Sequence, residues 1–353
     1  MPRLSHLILL FTVLTSRCLA LPCDECPDDV SAADRKIQPG TEVNVPGKMY
    51  PVEHGTTEFS YLLRSGDSVE RRLSYWYPVV TTPNQDGQKS RERLDSVPMA
   101  VGKHPLVVFS HGNLSAPEIS SYILETLAAS GFVVVGVHHE DSISELRKRG
   151  FRLPPLQQPS KWTASSHTSR RDDVRAGIDF VVNECRDDAS IFYNRIQTDR
   201  IGAMGHSLGG YTICGLVGGW PSWHDKRIRC ALLVSPNVHP FLKNTSSRIR
   251  VPVMLQGAVP GDPGITPILP EFYASLQRSR NLLILKDADH FAWTNLACKG
   301  KPAAEAVKRG TPRLVTQYTT AFFRRWLMDD QVATAFLRAT NESLDRYEYV
   351  DPE

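Results

Sequence analysis

Downstream of residue 105 the chain alternates short, unbroken apolar runs with longer amphipathic stretches. Leu106-Val107-Val108-Phe109 is the first run. Residues 132–137, 201–204, 231–234, 253–256 and 282–285 repeat the pattern. None shows polar alternation, as expected of strands buried on both faces of a sheet. Helical periodicity falls between them. Residues 119–130 fit a helix ended by Gly131. Over 170–185, Val174, Ile178, Val181, Val182 and Cys185 share one face, with Arg171, Asp172, Arg175 and Asp179 largely opposite. A helix is also expected within 268–279, and another near 313–328 carries Leu314, Tyr318, Phe322 and Trp326 on one stripe. Strands alternating with helices predict an α/β fold with a mostly parallel central sheet and helices on both faces.

The upstream third reads differently. Residues 59–63 and 72–77 look like strands joined by a turn at Ser65-Gly66-Asp67, which predicts an antiparallel N-terminal edge. Residues 81–104 and 21–50 are polar and proline-punctuated, a surface loop and an extended arm. Residues 141–168 are basic, Pro-rich and weakly periodic, so they are expected to form a loop or lid inserted over the carboxyl edge of the sheet. The expected organisation is one α/β domain over 51–353.

At the start of the chain, Arg3 precedes a short apolar run over 7–14, and the small residue Ala20 follows. This is the pattern of a signal peptide over residues 1–20, and it predicts secretion. The run is shorter than the roughly 20 residues of a membrane span, and no integral membrane span is expected elsewhere. Losing 1–20 takes away Arg3 and Arg17 and no acid, so the formal charge of +3 drops towards neutrality. A nearly neutral chain with scattered charge argues against a nucleic-acid partner. Of seven cysteines, Cys18 lies in the signal; Cys23, Cys26, Cys185, Cys214, Cys230 and Cys298 remain. That set is compatible with disulfides in an exported protein, although spacing does not select the pairing. Cys23 and Cys26 form a C-x-x-C pair without a second pair, so no metal site is expected. Asn244-Thr245-Ser246 and Asn341-Glu342-Ser343 are glycosylation sequons.

The chemistry concentrates around Gly205-His206-Ser207-Leu208-Gly209, a G-x-S-x-G sequence after an apolar strand and before a Gly-rich helix. That context suits a sharp strand-to-helix turn with serine at its apex. His206 is read as a packing residue. A hydroxyl needs a base to become a nucleophile. His290, just past the last buried strand, is the candidate, ahead of His224 and His239. The acid that orients it should follow the preceding strand, which favours Asp262 over its rivals Asp287 and Asp289, although Asp262 in Gly261-Asp262-Pro263-Gly264 also suits a plain turn. The residue after the nucleophile, Leu208, should give one oxyanion N–H. Asn113, in Phe109-Ser110-His111-Gly112-Asn113, should give the other, so its sequon with Leu114 and Ser115 is read as serving the site. Tyr211, Phe291, Trp293 and Trp162 are candidates to line an acyl pocket.

With these residues in place the chain resembles the dienelactone-hydrolase-like branch of the α/β-hydrolases, which includes platelet-activating-factor acetylhydrolases and bacterial polyester hydrolases. The resemblance runs over about 105–295 and rests on several segments. They are Pro105 to Gly112, Ala128 to Val134, Arg171-Asp172-Asp173-Val174-Arg175, Asp199-Arg200-Ile201-Gly202, Gly205 to Tyr211, Gly264-Ile265-Thr266-Pro267 and His290-Phe291-Ala292-Trp293-Thr294. It implies an α/β-hydrolase fold, a Ser207–His290–Asp262 triad with Asn113 and Leu208 as oxyanion donors, no cofactor, and a small-molecule or lipid ester as substrate. One departure is visible: the segment before Asp262 is a residue longer than the family pattern and carries Pro260-Gly261.

The expected activity is therefore that of a secreted serine esterase acting through an acyl-enzyme. Alternatives are an acetylhydrolase of short-chain phospholipids, a polyester hydrolase, a peptidase, or a catalytically silent hydrolase fold used for binding. The silent fold would be expected to lack a triad member, whereas every role has a candidate here.

Overall fold

In the computed structural model, residues 49–80, 97–148, 150, 158–242 and 246–352 are described. The signal peptide, nearly all of the extended arm, Cys23, Cys26 and the Asn244 sequon lie outside them, as do Arg149 and residues 151–157 of the lid segment.

In chain order the strands are β1 (Val52–Leu62), β2 (Ser68–Pro78), β3 (His104–Ser110), β4 (Val133–Val137), β5 (Ile196–His206), β6 (Ile228–Val234), β7 (Val253–Gly261), β8 (Arg280–Asp289) and β9 (Leu344–Val350). The helices are α1 (Ser121–Ala129), α2 (Ile143–Lys148), α3 (Thr168–Glu184), α4 (Leu208–Cys214), α5 (Leu269–Ser275), α6 (Ala303–Ala306), α7 (Gly310–Met328) and α8 (Gln331–Arg338). The strands form a single sheet in the order β1-β2-β4-β3-β5-β6-β7-β8-β9. From β4 across to β8 every pairing is parallel. β1 and β2 pair antiparallel to each other, and β2 pairs antiparallel to β4. The predicted N-terminal edge is therefore present, and β9 adds an antiparallel strand at the far edge.

Every residue of β3 and β4 is buried, which explains their lack of polar alternation. Successive side chains of β3 go to opposite cores. Leu106 and Val108 pack with residues of α3, α4 and α5; Val107 and Phe109 pack with residues of α1, α7 and α8. The order β4-β3-β5 reverses direction across β3, and in open α/β sheets sites form at the carboxyl ends of strands beside such a switch.

The segment expected to be a lid is tied down in its described part. The Tyr211 hydroxyl donates to the carbonyls of Thr163 at 3.0 Å and Ser166 at 3.2 Å, and Trp223 Nε1 donates to Ala164 O at 2.8 Å. Trp162 is buried with its ring centroid 4.8 Å from that of Tyr211. The disulfide expectation is not met by the described cysteines: Cys185, Cys214, Cys230 and Cys298 are free thiols, each buried in a hydrophobic core. Among the described residues, no helix is long and apolar enough to cross a membrane.

Candidate active site

β5 ends at His206 and α4 begins at Leu208, which leaves Ser207 alone to make the turn. It does so at φ 56°, ψ −115°, a backbone conformation that L side chains rarely adopt. Glycine on either side permits this. A Cβ on Gly209 would lie 1.9 Å from Ser110 O, and one on Gly205 would lie 2.2 Å from Gly209 O. The Ser207 N–H is fixed to Val234 O at 3.0 Å. Leu208 is the first residue of α4, so its N–H has no partner within the helix and stands at the positive end of the helix dipole.

Pro260 and Gly261, just before Asp262, belong to the sheet. β7 stays paired with β8 through Gly261↔Asp289, and Lys286 and Asp287 of β8 stand opposite Val259 alone. Asp287 takes the left-handed conformation, φ 48°, as expected at a bulge. The Gly261–Asp289 pairing is so close that a Cβ on Gly261 would lie 2.4 Å from Asp289 Cβ. It places Asp262 and His290, the next residue on each strand, side by side. Asp262 Oδ1 is 3.5 Å from His290 Nδ1, long for a direct hydrogen bond. The hydroxyl of Ser235, fully buried after β6, occupies the space between them. It lies 2.7 Å from His290 Nδ1 and donates to Asp262 Oδ2.

His206 is more than packing. Its Nε2–H donates to His290 O at 2.9 Å, and the two rings lie 4.9 Å apart. Burial and the neighbouring His290 push its pKa down to about 3, so it is neutral. A neutral ring with hydrogen on Nε2 is what the carbonyl of His290 requires. Ser207 Oγ makes no hydrogen bond among the described residues, and such contacts often tighten only around bound substrate.

Asn113 is half-buried on the loop after β3, and its N–H donates to no group among the described residues. The loop lies over the nucleophile: a Cβ on Gly112 would be 3.5 Å from Ser207 Cβ. A buried polar network holds it from behind. Arg170, on the first turn of α3, donates to His111 O at 2.7 Å and to Gly112 O at 3.1 Å, and grips Asp141 through contacts of 2.8 and 2.9 Å. Burial opposes ionisation of Asp141, but the Arg170 charge and hydrogen bonds, together with His111 and His139, hold the carboxyl below its usual range. His111 Nδ1–H donates to Gly112 O at 2.7 Å, and its Nε2 accepts the His139 N–H at 3.2 Å. His139 in turn donates to Asp173 at 2.9 Å, which also receives Tyr61 and Arg71 at 2.7 Å each. Burial, reinforced by the Arg170 charge, keeps both His111 and His139 well below the ordinary histidine range.

The aromatic pocket candidates separate. Tyr211 and Trp293 are fully buried, Tyr211 under the 158–168 segment and Trp293 with Nε1 donating to Gln256 Oε1 at 2.7 Å. They are core residues, a correction that follows from both polar handles being spent inside the protein. Trp162 is buried as well. Phe291 is 51% exposed and stands edge-on to the His290 ring.

Sequence reasoning missed Ser235, Asp141, His139, Arg170 and Asp173. A signal existed for the last two: Arg170 and Asp173 fall on the apolar stripe of α3 with Val174, Ile178 and Val181. A charge on a buried stripe is seldom there without a partner.

Comparison with known proteins shows the family. The chain is 27% identical over 236 residues to cutinase 2 of Thermobifida cellulosilytica, covering 65% of this chain and 71% of the relative. It is equally identical to cutinase cut1 of Thermobifida fusca, covering 59% of that protein. Platelet-activating factor acetylhydrolase of Cavia porcellus is 22% identical over 275 residues, 65% of this chain and 59% of the relative. The chain thus spans under two thirds of the length of the last two. Residues 98–351 match the PET hydrolase-like family pattern. The chain belongs to the PET hydrolase-like family of α/β-hydrolases, a family of carboxylic ester hydrolases.

Proposed function

We propose that the protein is a secreted serine esterase in which Ser207 attacks an ester carbonyl and His290 takes its proton. Asp262 orients His290 and stabilises its charged form. The N–H groups of Asn113 and Leu208 receive the oxyanion. The alcohol leaves with a proton from His290, and a water activated by His290 then hydrolyses the acyl-enzyme. No cofactor or metal takes part. The reading is carried by Ser207 at its strained turn, by His206 next to it bonded to the His290 carbonyl, and by a His290 held also at its Nδ1. The catalytically silent alternative is disfavoured because every role has a candidate residue.

Short-chain carboxylic esters are the default substrates, with acetylated phospholipids and polyesters as the alternatives that the relatives' names suggest. The test is Ser207→Ala. Purified wild-type protein turns over p-nitrophenyl acetate and is labelled by a fluorophosphonate; the variant does neither. Turnover that survives the substitution sinks the proposal. A panel of graded acyl esters, an acetylated phospholipid and a polyester film then ranks the substrates. Export of a tagged full-length chain, lost when residues 1–20 are deleted, tests secretion.

A further inference from the structure

We propose that Ser235 is a positioning residue of the catalytic relay, through which Asp262 acts on His290. The inference rests on the serine-esterase reading and goes one step further, replacing a three-residue relay with one of four.

The geometry leaves little choice of roles. A carboxylate only accepts, so the Ser235 O–H points to Asp262 Oδ2. That leaves a lone pair of Oγ facing His290 Nδ1 at 2.7 Å, and Nδ1 must carry the proton that fills it. The direct Asp262–His290 approach of 3.5 Å is the weaker path. Hydrogen on Nδ1 leaves Nε2 bare, and Nε2 is the atom that must accept the Ser207 proton. When His290 becomes charged, Nδ1–H still donates to an oxygen whose own proton is held by a carboxylate. The acid's charge therefore reaches the imidazolium through a polarised hydroxyl, and no proton has to move between Ser235 and Asp262.

The surrounding structure fixes the hydroxyl in this place. Ser235 follows β6 at the carboxyl edge of the sheet, is fully buried, and takes a left-handed φ of 43°. Non-glycine residues hold that conformation only where neighbours enforce it. Here the Ser235 N–H is tied to Gln256 O on β7 at 2.7 Å. Gln256 is itself fixed, since its side chain accepts from Trp293 three residues past His290. The strands that present Ser235, Asp262 and His290 are thus locked to one another, and the hydroxyl cannot turn to solvent.

The blander role would be a hydroxyl that merely satisfies a buried carboxylate. Kinetics separates the two. Losing a hydrogen bond to a charged group predicts that Ser235→Ala lowers kcat for p-nitrophenyl acetate about 10- to 100-fold, with KM within about threefold. Ser235→Gly, which suits the positive φ, gives the same loss and serves if the alanine variant is unstable. Ser235→Thr keeps the hydroxyl and recovers most of kcat. Because the two side chains act in series, Ser235→Ala added to Asp262→Asn costs no more than about threefold beyond Asp262→Asn alone. Unchanged kcat in folded Ser235→Ala and Ser235→Gly, or fully additive losses in the double variant, overturns the proposal. Ser207→Ala keeps the two ideas apart. If it is inactive while Ser235→Ala is unaffected, only the relay is wrong; if it is active, the esterase reading itself fails.

Discussion

Replacing Arg170 with methionine removes the guanidinium while keeping most of the apolar stem, and the structure sets what this costs. Arg170 is 1% exposed and Asp141, its partner, 7%. Removing one member of a buried pair costs about 3–5 kcal/mol, because the remaining charge is left in low dielectric. The carbonyls of His111 and Gly112 also lose a charged donor. A destabilisation of about 4–5 kcal/mol is therefore expected, a large part of the roughly 5–15 kcal/mol that keeps a domain folded. Those carbonyls belong to the loop that presents the Asn113 N–H, and loss of one oxyanion donor costs about 10²–10³ in kcat. Partial displacement predicts at least about a 30-fold fall in kcat with KM within about threefold. Urea unfolding and p-nitrophenyl acetate kinetics at low temperature, where the variant stays folded, measure both effects. Adding Asp141→Asn removes the orphaned charge and restores part of the stability without restoring kcat. The reasoning is refuted if folded Arg170→Met keeps kcat within threefold of wild type, or if kcat returns together with stability in the double variant.

Other outcomes follow from the same structure. Gly209→Ala drives a Cβ to 1.9 Å from Ser110 O on the neighbouring strand, so the variant yields no soluble folded protein; a soluble, active Gly209→Ala would contradict the turn geometry. Trp293→Phe deletes a buried 2.7 Å bond to Gln256 and costs about 1–3 kcal/mol in urea unfolding, whereas Phe291→Ala leaves stability alone and raises KM for longer acyl chains. His206 has a pKa of about 3 when folded and 6.5 ordinarily, and His111 and His139 are lowered too. Below pH 6.5 the unfolded chain then binds more protons than the folded one. Stability is full above that pH and is lost as pH falls, so melting at pH 5 comes at least about 5 °C below melting at pH 7.5. A flat melting profile between those values would show that these rings are already charged in the folded protein.

What the sequence disclosed, and what it withheld, divides by the range of the interaction. The central strands were legible because burial on both faces leaves an unbroken apolar run, and the Ser207 turn because it needs glycine at fixed local spacing. β9 was missed. In Leu344-Asp345-Arg346-Tyr347-Glu348-Tyr349-Val350 only Leu344 is buried and the strand pairs on one side only, so it carries too few apolar positions to announce a strand. The pocket role given to Tyr211 and Trp293 failed because an aromatic side chain looks the same whether its polar atom ends in solvent or in the core. Ser235 is the sharpest case. It lies 27 residues from Asp262 and 55 from His290 in the chain. No local pattern links the three, and a serine after a buried strand is ordinary turn chemistry. What assembles them is register. β6 pairs with β7 through Val234↔Gln256, and β7 with β8 through Gly261↔Asp289. Each of the three residues is therefore the first beyond the last paired position of its strand. The meeting of Asp262 and His290 is a consequence of strand alignment across the sheet, which propensity along one segment does not encode; Ser235, level with Gly257 by register, reaches them beyond the end of β6. A one-residue slip in either pairing would carry the hydroxyl or the carboxylate away from His290, so the bulge at Lys286 and Asp287 matters to the chemistry as well as to the fold.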